Sequence, residues 1–183
     1  MWKEMKFVAL VGSLRKESYN LQLAQTIQER FKHQFELLIP DLGTLPFFNQ
    51  DEEHEPPEVV RQFKQTVKEA DGVLIITPEY NWSVPGVLQN ALDWLSRVDK
   101  VMIGKPVMTA GVSPGILGTI RAQLHIRQIL SSPGIQAKLL PPAGNEIVIN
   151  FAPEKFKEGR LVDEATLQFV DEVVNRFIHF VRS

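Results

Sequence analysis

Three short stretches of this 183-residue chain gather side chains able to hold a small molecule. The first is Ser13-Leu14-Arg15-Lys16-Glu17-Ser18-Tyr19-Asn20, which sets serine hydroxyls, a guanidinium and an amide ahead of a helix-like segment. A helix start leaves backbone N–H groups unpaired, and its macrodipole favours negative charge there. Donors of these types beside such an end make a site for a phosphate group. The plainer reading is a capped helix with an exposed arginine. The second stretch, Pro78-Glu79-Tyr80-Asn81-Trp82-Ser83, offers aromatic faces on which a flat heteroaromatic ring can stack, with hydrogen-bonding groups for its edge. Its plainer reading is a loop whose aromatics pack down. The third, Val112-Ser113-Pro114-Gly115-Ile116-Leu117-Gly118, is a serine-bearing glycine turn.

Each stretch follows an apolar run of strand length and precedes a segment with helical spacing. Lys6 to Gly12 reads as a strand buried on both faces, and Leu23, Ile27 and Phe31 stripe the helix after it. Phe35 to Ile39 reads as a second strand, stopped by Pro40. Residues 40–57 carry Pro40, Gly43, Pro46, Pro56 and Pro57, so they are expected to form a long loop with no regular element. Its acidic patch, Asp51 to Glu55, reads as a solvated surface. Phe47-Phe48-Asn49 either approach a ligand or pack on the domain. Pro57 opens a helix striped by Val60, Phe63, Val67 and Ala70. Val73 to Thr77 is the third strand, followed by a helix with apolar positions 84, 87, 88, 91, 92 and 95. Val107 to Gly111 is the fourth strand, with a helix behind it to about Ser131. Residues 135–140 read as a fifth strand, Glu146 to Ile149 as its extension, and Asp163 as the cap of a last helix striped by Leu167, Val170, Val174, Phe177 and Val181.

Five alternations of strand and helix, with no hairpin among the first four strands, predict one α/β domain over residues 1–183. Its sheet is parallel and doubly wound, with helices on both faces. Ligands bind such sheets outside the carboxyl ends of the strands, where strand order reverses. The three polar loops are therefore expected to converge on one site. A phosphate position on one loop and a ring position on the next suit a planar monophosphate cofactor, and FMN is the obvious candidate.

Composition removes other classes. A net charge of −2 argues against a general nucleic-acid binder. No apolar stretch approaches the ~20 residues of a membrane span, and the start, Met-Trp-Lys-Glu-Met, lacks a signal-peptide core, so a cytoplasmic setting is expected. The chain has no cysteine, which excludes disulfides, thiolate ligands and cysteine nucleophiles. Its histidines (33, 54, 125 and 179) show no metal-ligand spacing. Gly111-Val112-Ser113-Pro114-Gly115 matches the G-x-S-x-G nucleophile elbow, making a serine hydrolase a rival. Pro114, however, lacks the N–H that an oxyanion hole takes from the residue after the serine, and neither His125 nor His179 is well placed for a triad.

The residues also resemble a known family. Ser13 to Asn20 is similar to the S-x-R-x-x-S-x-N phosphate loop of the NAD(P)H-dependent FMN reductases. Pro78-Glu79-Tyr80-Asn81-Trp82-Ser83-Val84-Pro85-Gly86, with Leu88-Gln89-Asn90-Ala91-Leu92-Asp93-Trp94, resembles their P-E-Y-N-x-S-x-P-G-x-L-K-N-A-x-D-W block. Ser113 to Gly118 and Arg121-Ala122-Gln123 resemble the third flavin-site loop and the helix behind it. The likeness runs from about residue 6 to 180 and is nearest the quinone and chromate reductase branch. It implies a flavodoxin-like five-stranded fold with non-covalent FMN, in a homodimer or homotetramer. Carried over, Ser13, Arg15, Ser18 and Asn20 would hold the phosphate, with Tyr19 beside them. Pro78, Glu79, Tyr80, Asn81, Trp82 and Ser83 would line the ribityl chain and ring, with Ser113 and Gly115 opposite. Trp82, Gln89 and Thr119 depart from the family pattern, which often has tyrosine, lysine and glycine there. The implied activity is a ping-pong cycle in which NADPH or NADH passes hydride through FMN to a quinone, azo compound, nitroaromatic or metal oxyanion. The redox chemistry belongs to FMN, so no catalytic side chain is assigned. The alternative is a flavin-binding electron carrier or redox sensor without turnover of its own.

Overall fold

The computed structural model describes residues 5–183; residues 1–4, part of the start read above for a signal peptide, lie outside them. The first apolar run forms β1 (Met5–Val11). Its side chains alternate between two layers, as the period of a strand requires: Phe7, Ala9 and Val11 enter one buried cluster, Val8 and Leu10 the other. Continuing along the chain come α1 (Tyr19–Phe31), β2 (Phe35–Leu38), α2 (Glu58–Glu69), β3 (Gly72–Ile76), α3 (Gly86–Leu95), β4 (Pro106–Val112) and α4 (Ile120–Leu130). After these come β5 (Lys138–Leu139), β6 (Ile147–Ile149), α5 (Ala152–Lys155), β7 (Phe156–Lys157), β8 (Arg160–Leu161) and α6 (Glu164–Arg182).

The main sheet has the order β2-β1-β3-β4-β5, with β6 also pairing β4, and every pairing in it is parallel. Helices α1 and α6 cover one face through Leu23, Ile27, Phe31, Val170, Val174 and Phe177. Helices α2, α3 and α4 cover the other through Phe63, Val67, Leu88, Leu92, Ile126 and Leu130. Each fully buried leucine or phenylalanine there contributes about 2–3 kcal/mol of transfer free energy. The sheet is doubly wound, as the alternation predicts, and its order is that of the flavodoxin-like fold the resemblance implies.

The structure refines three local expectations, and it adds short elements that were not expected. The fifth strand comes in two pieces. Leu140 still donates its N–H to Val107 O, but Pro141 and Pro142 have no N–H to continue the ladder. Pairing resumes only at Ile147, opposite Ala110. The stretch 40–57 is not wholly irregular, since Leu42–Thr44 and Gln50–Glu52 form 3₁₀ turns. It is pinned to α3, where Pro46 O accepts from Asn90 Nδ2 and Trp94 Nε1 at 3.0 and 2.8 Å. Phe48 packs edge-on against Trp94, whereas Phe47 is exposed. The short helix α5 and the β7–β8 hairpin carried no period long enough to be seen. On α6 the buried face centres on Val173 and Ile178 as well, while Leu167 and Val181 are only partly covered. Among the described residues no helix is long and apolar enough to cross a membrane.

Candidate active site

Strand register fixes where the polar loops leave the sheet. Val11 pairs with Ile76 and Ile76 with Ala110. The alignment extends one residue beyond each strand, because Gly12 N–H donates to Ile76 O and Thr77 N–H to Ala110 O, both at 2.9 Å. Residues 12–18, 77–85 and 113–119 therefore depart side by side. They do so where β1 and β3 adjoin and the strand order reverses, the place at which such sheets bind ligands.

In the first loop Ser18 is the buried N-cap of α1, accepting from Leu21 N–H, and its own N–H closes the loop onto Arg15 O at 3.0 Å. No acidic residue stands in the first turn of α1, and Glu17, just ahead of the cap, is exposed to solvent. Arg15 is exposed, its guanidinium 5.6 Å from the Tyr19 ring centre. Tyr19 is in turn backed by Phe156, with ring centres 5.3 Å apart. Ser13 Oγ accepts from Arg15 N–H and lies 3.5 Å from the Tyr80 hydroxyl, which joins the first loop to the second. Asn20, expected at the phosphate, has its amide engaged elsewhere in this structure. Its side chain is buried, with Nδ2 donating to Val112 O and Oδ1 accepting from Val112 N–H, both at 2.9 Å. It fastens α1 to the end of β4.

The second loop turns on Asn81 and Trp82, both left-handed with φ of 50° and 64°. Tyr80 and Ser83 exchange N–H···O bonds of 3.1 and 3.0 Å across them, closing a type I′ turn. A bulky tryptophan in this conformation is strained. Trp82 is 73% and Tyr80 51% exposed, so both rings stand at the open rim, and Arg121 lies over Trp82 at 4.2 Å. Other side chains expected at the ring face inward. Glu79 Oε2 accepts from Ala122 N–H at 3.1 Å and Oε1 is 3.7 Å from Arg121. Ser83 Oγ is 2.7 Å from His125 Nδ1. Glu79 and Ser83 thus join the loop to α4 through their side chains, and Pro78 is buried beneath it.

The third loop is tied down from behind. Ser113 N–H donates to Ile149 O, Ala152 N–H to Ser113 O, and Asn150 Nδ2 to Ile116 O at 3.2 Å. Within the loop the Ser113 hydroxyl and Gly115 backbone bond to each other. That arrangement, with His125 on Ser83 instead, leaves no serine–histidine pair at Ser113 and removes the hydrolase reading. Two glycines let α4 come close. A Cβ on Gly111 would stand 1.8 Å from Thr119 Oγ1 and 2.5 Å from Thr77 O. Gly118 has φ of +59°, and its Cβ would meet Val148 Cγ1 at 2.3 Å. Thr119, the departure from the family glycine, is fully buried in the space that Gly111 leaves.

The three loops are legible in the sequence, but their supports are not: Arg121 stands out only as part of a motif, and His125 only as a histidine ill-placed for a triad. Asn150, and Phe151 whose N–H donates to Gly115 O at 3.4 Å, carry no local signal in the sequence.

A family model described as NADPH-dependent FMN reductase matches residues 5–152, from β1 to the segment that braces the third loop. The chain belongs to this family. An NADH-dependent flavin reductase subunit 2 from Lactobacillus johnsonii is 39% identical, covering 97% of both chains. A 2-hydroxy-1,4-benzoquinone reductase from a Burkholderia species is also 39% identical, again covering 97% of each. Among solved structures, the flavoenzyme NAD(P)H:(acceptor) oxidoreductase FerB from Paracoccus denitrificans superposes with a TM-score of 0.87 at 32% identity, over 97% of both chains. This reductase is accordingly an oxidoreductase that works with FMN and a reduced nicotinamide. Its donor set fits the cofactor: the start of α1 with Ser13, Arg15 and Ser18 adjoins exposed aromatic faces at Tyr80 and Trp82.

Proposed function

We propose that residues 1–183 form one FMN-binding domain that passes electrons from NADH or NADPH to quinones and related small oxidants. The observation that carries this reading is the lateral alignment of the three loops, with a phosphate-type donor set on one and an open aromatic rim on the next. Ser13, Ser18 and the first-turn amides of α1 hold the cofactor phosphate. Arg15, steadied by the Tyr19 ring, supplies the positive charge. The backbone and exposed faces of Tyr80, Asn81 and Trp82 border the ring system, Pro78 supports them, and Ser113 and Gly115 border it from the third loop. Bound there, FMN would supply the redox chemistry that links a nicotinamide hydride donor to the acceptor. The protein's part is to orient these partners at one open rim, so that nicotinamide and acceptor occupy it in turn.

A quinone acceptor draws support from the benzoquinone reductase relative. An NAD(P)H donor fits a cytoplasmic setting. Exposed Ile116, Leu117, Leu124 and Phe151 on and behind the third loop suit a homodimer or homotetramer. The carrier or sensor reading gives way, because the family is one of NAD(P)H-dependent reductases.

The test is an anaerobic absorbance titration of protein supplied with FMN. Flavin bands bleach with NADH or NADPH and return with benzoquinone. Arg15→Ala weakens FMN binding by about tenfold or more, the worth of a charge-assisted hydrogen bond. A protein that takes up no FMN, or an Arg15→Ala variant with unchanged affinity, contradicts the respective assignment.

A further inference from the structure

The start of α4 is not capped by its own residue. Thr119 stands at the N-cap without a side-chain cap bond, because its hydroxyl accepts from Gln123 Nε2 at 3.1 Å. Gln123 is fully buried and is held further by Thr109 and by the carbonyl of Ile147. The missing cap comes from the second loop, where Glu79 accepts the Ala122 N–H. Its side chain is only 10% exposed. A carboxylate there satisfies an orphan donor and opposes the positive helix end.

Three further contacts fasten the same loop to the same helix. Arg121 reaches both Glu79 and the Trp82 ring, and Ser83 bonds His125 one turn along. These anchors lie on either side of and within the left-handed pair Asn81–Trp82, a conformation that a tryptophan keeps only when its surroundings impose it. We propose that Glu79 is a positioning residue: by capping α4 it couples the second and third loops and holds the Tyr80–Ser83 turn in shape for the cofactor ring. This rests on the reading that the loop edge binds FMN.

The proposal is tested with Glu79→Ala and Glu79→Gln in the FMN-loaded protein. FMN affinity is read by flavin fluorescence, steady-state kcat and KM with NADH and benzoquinone, and the flavin midpoint potential by dye-coupled reduction. Glu79→Ala is expected to weaken FMN binding by about tenfold, the factor a lost N-cap is worth, with kcat falling more than KM rises. Glu79→Gln keeps an oxygen for the Ala122 N–H, so it restores affinity to within about threefold and leaves the midpoint potential where it was. A shifted potential in Glu79→Gln, which retains the cap and so folds, overturns the proposal, since the charge would then act on the cofactor directly. So does a folded Glu79→Ala with wild-type affinity and kcat. Failure of the wild-type protein to take up FMN instead overturns the functional reading and is seen before any variant is made.

Discussion

Asn20 separates a ligand from a brace, because the two roles predict opposite behaviour without cofactor. Its amide spans Val112, one bond in each direction at 2.9 Å, in a buried position. Asn20→Ala leaves a buried N–H and a buried carbonyl without partners, at about 1–3 kcal/mol each. Water entering the vacated space returns part of that, so the apo-protein loses about 2–4 kcal/mol. At this chain length such a loss lowers Tm by roughly 5–15 °C. Asn20→Asp is more discriminating. Its carboxyl is isosteric with the amide when protonated and can donate to Val112 O. When ionised it sets negative charge against that carbonyl in a buried place. Its folded pKa therefore rises above the unfolded value near 3.9. A raised folded pKa means the stabilising bond is fully present below about pH 3.9 and is lost as pH rises through the folded value, at about 1.4 kcal/mol per unit of displacement. Thermal melts of apo Asn20→Asp, Asn20→Ala and wild type are compared at pH 4 and pH 7.5. The Asp variant should sit near wild type at the lower pH and near the Ala variant at the higher. If the apo-proteins melt alike at pH 7.5 while FMN affinity alone collapses in Asn20→Asp, the amide faces the phosphate and the reasoning fails.

The remaining predictions concern the loop supports and the last helix. Gly118→Ala, at φ +59° and facing Val148 Cγ1 at 2.3 Å, should cost about 2 kcal/mol or more in urea denaturation. Adding Val148→Ala should recover part of the loss by removing the clash; a double variant no better than Gly118→Ala would place the whole cost in the backbone. Asp163 caps α6 by accepting from Thr166 N–H at 2.9 Å, and the hydrogen bonds from the Thr166 hydroxyl and backbone hold its carboxyl below the usual carboxylate range. A depressed folded pKa adds stability above the unfolded value of about 3.9, lost as pH falls through the folded one. Asp163→Asn, which keeps an acceptor but does not titrate, should make the acid limb of a circular-dichroism pH titration shallower; an identical limb would count against this cap.

Much of the architecture is legible in the sequence because it is written in local periods. The apolar runs at Phe7–Val11 and Val73–Ile76 have only the buried centre of a parallel sheet to occupy, and the stripe of Val60, Phe63 and Val67 has only one face of a helix. The first polar loop, proposed to hold the phosphate, is legible for a related reason: serine hydroxyls, an arginine and a helix start are all neighbours in the chain. The fifth strand was legible only in part, since its pairing depends on where β4 presents partners on either side of Pro141 and Pro142. The β7–β8 hairpin and α5 are too short for any period to register.

What the tertiary structure alone decides is the direction in which each polar side chain of the site faces. Asn20 stands in the phosphate motif, yet its partner lies 92 residues away on β4. Glu79 and Ser83 stand in the ring motif, yet their partners lie 43 and 42 residues away on α4. Residue type and spacing therefore determined the fold class, the cofactor and the three loops that meet. Whether a given donor faces the ligand or braces the loop was decided by packing, because a buried polar group must find its partner, and nothing local in the chain says which distant element brings it.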